Sequence, residues 1–267
     1  MEKYFISGDI HGNIVDLRER IESVNAKKLI LLGDTGINWY GGKKDIRFKT
    51  EISNLNCELF VIRGNHDMPP NEIAGIKKVF NEEIKNYVLK EDEFPLINYL
   101  IDGEIYYFNK YKCLVIGGAY SVDKYWRLEN KWIWFKNEQV PIEDRIKIFA
   151  ETRDIDFDFV LTHTCPYSWM PTDKFLSFID QSKVDNSMEF WLEEIKNSVS
   201  WIGIWLFAHY HIDRIERPYV EVMYRDIEDL DAIRERWNNY ARTKELPWWL
   251  EKSPNFYQEE KKINAKN

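Results

Sequence analysis

Cysteine is scarce and poorly placed for pairing. Cys57, Cys113 and Cys165 are the only three in 267 residues, an odd set with no Cys-x-x-Cys pair. That excludes a disulfide framework and a thiolate zinc site, and it fits a reducing compartment. Long apolar runs are missing too: no stretch approaches the ~18 residues of a membrane-spanning helix. A strand-like pattern begins within a few residues of Met1 and leaves no place for a signal peptide, so a soluble, cytoplasmic protein with no membrane partner is expected. Cations are outnumbered, with 37 Lys and Arg against 45 Asp and Glu, a net charge of -8 and no basic run. Such a balance disfavours long nucleic acid as a partner. Internal repeats and a dividing linker are also absent.

What is present is organised around Ile6-Ser7-Gly8-Asp9-Ile10-His11-Gly12. A short apolar run precedes it and an amphipathic segment follows, which predicts a strand end, a tight turn and a helix start. At extended geometry Asp9 and His11 would share one face while Ile10 turns to the core, a two-toothed grip for a divalent ion. Gly8 and Gly12 tolerate positive φ and leave room for an ion or a phosphate.

Ile14, Leu17, Ile21 and Val24 keep helical spacing, predicting a helix from Asn13 to Asn25. Leu29 to Leu32 and Leu59 to Ile62 are continuous apolar runs, as strands covered on both faces should be. They end at Gly33-Asp34-Thr35-Gly36 and at Arg63-Gly64-Asn65-His66-Asp67. Three strand-end turns of this kind should meet at one sheet edge. Residues 71–104 are expected to hold loops, a helix around Glu82 to Leu89 and a short strand. Ile105 to Phe108 and Lys112 to Gly117 predict an antiparallel hairpin that begins a second sheet. Ile142, Ile146 and Phe149 fall on one helical face. Phe159 to Leu161 delivers Thr162-His163, a helix follows from Met188 to Asn197, and Ile202 to Phe207 ends at Ala208-His209-Tyr210-His211. Tyr219 to Tyr224 closes the strands. Ile227, Leu230, Ile233, Trp237 and Tyr240 predict a last helix, and the polar stretch from Lys252, including Glu259 to Lys266, a frayed and solvated tail. Residues 1–225 therefore form the main domain, with residues 226–267 as its C-terminal helix and tail.

Collected, the strand-end loops supply Asp9, His11, Asp34, Asn65, His66, His163, His209 and His211, which include all five histidines of the chain. Imidazole, carboxylate and one amide, without thiolate, suit Mn, Fe, Zn or Ni. They are enough for two divalent transition-metal ions sharing a carboxylate. Two such ions about 3.5–4 Å apart can stabilise the attacking and leaving oxygens of a phosphoryl displacement.

With Gly8-Asp9-Ile10-His11-Gly12, Gly33-Asp34, Gly64-Asn65-His66-Asp67, His163 and His209-Tyr210-His211 in this order, the chain resembles the calcineurin-like metallophosphoesterase superfamily. The resemblance implies an α/β fold, a two-sheet β-sandwich flanked by helices in four layers, and phosphatase or phosphodiesterase hydrolysis by a bridging hydroxide. It implies Asp9, His11 and His211 on one metal, Asn65, His163 and His209 on the other, and Asp34 between them. Mn is the expected metal. His66 would act as acid or phosphate ligand, with Asp67 orienting it. Ala208 stands where the family usually has Gly, and Gly33-Asp34-Thr35-Gly36 lacks the Asp-Arg-Gly of the protein Ser/Thr phosphatase branch.

Fold leaves the substrate open. The acidic charge favours a small nucleotide-like or phosphorylated metabolite; a phosphoprotein phosphatase, a nuclease and an inactive sensor are the alternatives. Arg63 either touches phosphate or pairs with a carboxylate. Residues 120–140, rich in aromatics, are expected to form an irregular insertion. It either walls the cleft, with Lys124 and Arg127 on substrate, or is a flap over the sheet. Trp191, Trp201 and Trp205 are assigned to the core, and Cys165 is a small apolar filler.

Overall fold

The computed structural model describes residues 2–258. Its framework is two mixed sheets packed face to face. The first has seven strands in the order β13-β1-β2-β3-β6-β5-β4. These are β1 (Phe5–Ser7), β2 (Lys28–Leu31), β3 (Glu58–Val61), β4 (Lys77–Asn81), β5 (Asn86–Lys90), β6 (Ile97–Tyr99) and β13 (Ile227–Asp229). The second has six, in the order β11-β12-β10-β9-β8-β7. They are β7 (Ile105–Phe108), β8 (Tyr111–Ile116), β9 (Asp156–Thr162), β10 (Trp201–Phe207), β11 (Arg214–Arg217) and β12 (Val220–Val222). The helices are α1 (Ile14–Val24), α2 (Lys43–Ser53), α3 (Lys124–Glu129), α4 (Ile142–Thr152), α5 (Ser187–Ser198) and α6 (Leu230–Thr243).

Alternation along each strand sends one set of side chains between the sheets and the other outward. Ile6, Ile30 and Phe60 of the first sheet meet Phe108, Val115, Phe159, Leu161, Ile204 and Leu206 of the second in one buried cluster. The opposite faces, Leu29, Leu31, Leu59 and Val61, pack on Leu17 and Ile21 of α1 and Ile52 of α2. Leu114, Val160, Trp205 and Phe207 pack on Ile148 of α4 and Trp191, Leu192 and Ile195 of α5. Both faces of the central strands are thus covered, which is why those strands are apolar throughout. Four layers result, the α/β sandwich that the sequence implied.

The parallel registers position the site. Ser7 aligns with Leu31 and Leu31 with Val61, while Ile116 aligns with Thr162 and Thr162 with Phe207. Within each sheet the strands therefore finish level, and the loops after β1, β2, β3, β9 and β10 leave at the carboxyl edge. The helix after the first loop forms as its sequence dictates. The Asn13 side chain accepts from the Asp16 N–H, a cap of the kind worth about 1 kcal/mol, and Asn25 ends it in the left-handed region.

Several elements differ from expectation. Residues 82–89 are not helical: Lys77–Asn81 and Asn86–Lys90 form an antiparallel hairpin. Asn81 Oδ1 accepts from the Glu83 and Ile84 N–H groups, Lys85 takes φ 57°, and Val88 and Ile84 go into the inter-sheet core. The β-rich Tyr87-Val88-Leu89 and this Asn-centred turn outweigh the helix-forming charges. The helix expected around Ile142, Ile146 and Phe149 is α4, and its buried positions are Ile148 and Thr152 while Ile142 and Ile146 lie in solvent. Arg145 turns toward α5 instead, its guanidinium donating to the Val140 and Ser187 carbonyls. Ile227 belongs to β13, antiparallel to β1, because Asp229 caps α6 only from Leu230. Trp191 and Trp205 are buried as assigned, but Trp201, at the start of β10, is exposed under Arg234. The stretch from Lys252 is docked, not frayed, over its described part: Lys252 bridges to Ile215, and Ser253 and Phe256 are buried. The expected tail residues Glu259 to Lys266 lie outside the described residues. No helix among the described residues is long and apolar enough to cross a membrane.

Candidate metal centre

The loops after β1 and β2 are zipped together. The Ile10 and His11 N–H groups donate to the Asp34 carbonyl and the Gly12 N–H to that of Thr35, the last at 3.0 Å. Ile10 is buried as predicted, but His11 reaches its place through a left-handed residue (φ 46°) instead of an extended one. Gly12 does take positive φ (71°), whereas Gly8 does not; its missing Cβ admits the Met223 carbonyl. Beneath the loop, buried Arg20 donates to the Asp9 carbonyl (3.0 Å), to Ser7 Oγ (2.8 Å) and to the Tyr224 carbonyl (2.7 Å), and it pairs with Asp16. Sequence reading overlooked this arginine, which sits on the helix face that packs on the sheet.

Two groups of donor atoms form. Asp9, His11 and His211 bring one ligand atom each to within 4.8 Å of one another, and so do Asp34, His163 and His209. In the first, His11 Nε2 lies 2.8 Å from His211 Nε2, and Asp9 Oδ2 is 3.1 Å from the latter. That Asp9 oxygen is buried, with the His11 and His211 imidazoles as its close polar neighbours. In the second, His163 Nδ1 meets the Leu32 carbonyl at 2.7 Å, so the proton sits on Nδ1 and Nε2 carries a lone pair. Nε2 nevertheless faces Asn65 Oδ1 at 2.9 Å, and it is 3.7 Å from Asp34 Oδ1. The Asn65 amide is turned that way because its Nδ2 donates to Ser121 Oγ at 2.9 Å. Acceptors facing acceptors in a buried site are what a cation would reconcile, and the donor set matches a hard-to-borderline divalent ion.

The electrostatics agree with that fit. Burial pushes the Asp9 carboxyl up, but hydrogen bonding by His11 and His211 and the nearness of His163 outweigh it and hold it well below the usual range. Burial, then Asp9 and Asp67, raise Asp34 well above it. Burial lowers His163, and burial with His163 beside it brings His209 down to about 3. These two imidazoles are therefore neutral, as ligation requires. His11, Asp34, His209 and His211 all take positive φ, between 44° and 70°. Left-handed non-glycine residues concentrated in this way are characteristic of functional sites. Ala208 is not among them, so a methyl group there in place of the family's usual glycine is accommodated.

His66 stands beside the two groups. Its N–H donates to Asp34 Oδ1 at 2.9 Å, and its ring stacks on Trp39 with centroids 5.7 Å apart. Asn65 Nδ2 and Arg127 Nη2 both lie 3.3 Å from Nε2. Burial, then the Arg127 guanidinium, hold this imidazole down to about 2, so it is neutral with Nε2 as an acceptor. Trp39 was not foreseen; its only trace in the sequence is an aromatic placed soon after the Gly33-Asp34 turn.

One expectation fails here, and one pair of alternatives, that for Arg63, is decided for the carboxylate. Asp67 does not orient the His66 ring, because its carboxylate accepts from the backbone N–H groups of Thr35, Gly36 and Gly64 (3.1, 3.0 and 2.9 Å). It fastens the loop after β3 to the loop after β2. Arg63 pairs with Asp102 (2.7 Å) and donates to the Asn137 and Glu138 carbonyls (2.9 and 3.0 Å), so it anchors residues 120–140 instead of phosphate.

That insertion contains the short helix α3, not foreseen in the sequence, and it does reach the metal edge through Ser121 and Arg127. Arg127 is buried, and its Nε is 2.7 Å from Asp123 Oδ2. Lys124 instead stands 4.3 Å from the centroid of the Trp134 ring. Trp126 and Trp132 are half exposed and meet edge to face. Cys165 is buried, as a filler should be.

Residues 3–213 match the family described as calcineurin-like phosphoesterase. Among solved structures, the chain is similar to the crystal structure of TT1561 of Thermus thermophilus, at 15% identity and a TM-score of 0.44 over 85% of this chain and 97% of that one. A second crystal structure is similar at 14% identity and a TM-score of 0.45, over 86% of this chain and 96% of the other. No curated protein matches the chain.

Proposed function

This chain belongs to the calcineurin-like phosphoesterase family, whose members are metal-dependent hydrolases of phosphate esters, and on that premise we propose that it hydrolyses a small nucleotide-like or otherwise phosphorylated metabolite at a two-ion centre. Asp9, His11 and His211 would hold one divalent ion; His163, His209 and Asn65 would hold the other, with Asp34 between them. Mn is the preferred metal. Ions bound there would neutralise phosphoryl oxygens and lower the pKa of a water.

The chain's own residues supply the rest. His163 is fixed in its tautomer by the Leu32 carbonyl, and Asn65 is fixed in its orientation by Ser121. Arg127 presents a guanidinium at His66 Nε2, where a phosphoryl group replacing that contact would gain charge-assisted hydrogen bonds. With an anionic substrate in place the repulsion between Arg127 and a protonated His66 is offset, and His66 would take up a proton from solvent at Nε2 and pass it to the leaving oxygen. Trp39, packed along the His66 ring, keeps that ring from rotating away.

The net charge of -8 supports a small substrate over a polyanion. The observation that carries the reading is His163 Nε2 facing Asn65 Oδ1 at 2.9 Å, two acceptors with nothing of their own to share. Its test is hydrolysis of p-nitrophenyl phosphate and its bis ester by metal-stripped protein on adding Mn. Activity restored by Mn is the expected result. Protein inert with every divalent ion would overturn it.

A further inference from the structure

His209 and His211 both sit in the left-handed region, at φ 70° and 55°. A non-glycine residue in that region persists only where its surroundings over-determine it. Tyr210, between them, ties this loop to the strand and loops around it. Its ring stacks on Phe175 and meets Phe207 edge on. Its hydroxyl lies 3.2 Å from Thr164 Oγ1, and Thr164 directly follows His163. Thr164 is fully buried and donates its single hydroxyl proton to Glu189 Oε1 at 2.8 Å. It must therefore accept from Tyr210, whose oxygen in turn accepts from the Cys165 thiol at 3.9 Å. Every proton in the line has one direction, and Glu189 is its terminal acceptor.

Packing does not account for a carboxyl in that place. A glutamate in the first turn of a helix ordinarily faces solvent and complements the dipole. Glu189 is instead 4% exposed in the first turn of α5, and its second oxygen has no hydrogen-bond partner. The guanidinium of Arg145 is engaged with the Val140 and Ser187 carbonyls and with Gln139. Burial pushes the Glu189 carboxyl up to about 7. Apolar side chains would fill the space at lower cost. What they would not do is accept from Thr164.

We propose that Glu189 is a positioning residue for the metal centre, fixing through Thr164 and Tyr210 the loops that carry His163, His209 and His211. The inference rests on the ligand assignment proposed above. Partners that orient metal ligands from behind typically matter by about 10–100-fold in affinity. Glu189→Gln keeps an acceptor for Thr164, while Glu189→Leu, Thr164→Val and Tyr210→Phe each break the line at a different place.

The experiment is calorimetric titration of Mn into the metal-free full chain, with the melting temperature of each variant measured alongside. Wild type and Glu189→Gln should bind within about threefold of each other, and the other three variants should bind about 10–100-fold more weakly. The double variant Glu189→Leu with Thr164→Val should be no weaker than the poorer single, since both cut one line. Tyr210→Phe removes a single oxygen and keeps the ring, so it remains informative if Glu189→Leu does not fold. Thr164→Val and Tyr210→Phe binding Mn as wild type does would overturn the inference. A wild type that binds no divalent ion would overturn the ligand assignment itself, which is a different failure.

Discussion

Arg127 Nη2, from a helix inserted between β8 and β9, lies 3.3 Å from Nε2 of His66 on the loop after β3. Residues from the two sheets thus converge on one edge of the cleft. A charge-assisted hydrogen bond to phosphate is worth about 1.5–3 kcal/mol. Arg127→Ala should accordingly raise KM for p-nitrophenyl phosphate roughly 10-fold or more, because the phosphoryl group is common to every substrate. Lys124→Ala, which loses contacts with the Trp134 and Tyr120 rings, should change it little. Steady-state kinetics decide it, and equal effects of the two substitutions would count against the assignment.

His66 contributes its ring to the cleft without belonging to either donor group. His66→Ala should leave the metal content unchanged and lower kcat by about 10²–10⁴-fold, the range for one general acid. Elemental analysis beside kinetics checks this. Loss of metal from that variant would mean that His66 is a ligand.

Asp34→Asn should bind fewer ions and lose activity while staying folded. Asn accepts positive φ, and its amide oxygen can still receive the His66 N–H. Burial and the neighbouring Asp9 and Asp67 charges already disfavour ionised Asp34 without metal. The metal-free variant should therefore melt no lower than metal-free wild type. A clear fall in its melting temperature would contradict this.

Glu189 gives a pH dependence of stability. Its folded value is raised from 4.5 to about 7, so its stabilising contribution is full below 4.5 and is lost as pH rises through about 7. At roughly 1.4 kcal/mol per pKa unit, the loss by pH 8 is on the order of 3 kcal/mol. Denaturation of the metal-free protein between pH 5 and pH 8 should show wild type falling more steeply than Glu189→Gln. Parallel curves would refute it.

The strand-end loops were legible because each is announced locally, by an apolar run that stops at glycine and a ligand type. Asp9, His11, Asp34, Asn65, His163, His209 and His211 are read off in that way, and the structure brings them together. What could not be read depends on partners distant in sequence. Asp67 looks like a companion of His66 in the chain, yet its oxygens meet N–H groups of a loop some thirty residues away. Arg63 finds Asp102, and Glu189 finds Thr164. The β4–β5 hairpin was missed because charged residues in its turn mimic helix, while burial of Ile84 and Val88 settles the structure. In α4 the stripe of Ile142 and Ile146 does not mark the buried face, because period alone does not say which face a neighbour covers.

The number of divalent ions bound per chain at saturation decides whether the strand-end donors hold a two-ion centre. Metal-stripped protein reloaded with Mn, freed of excess ion and analysed for metal against protein concentration, should hold about two, as a dinuclear phosphoesterase site does. A chain that retains none, or that keeps the same number after Asp9→Asn and His163→Ala are combined, would contradict the account.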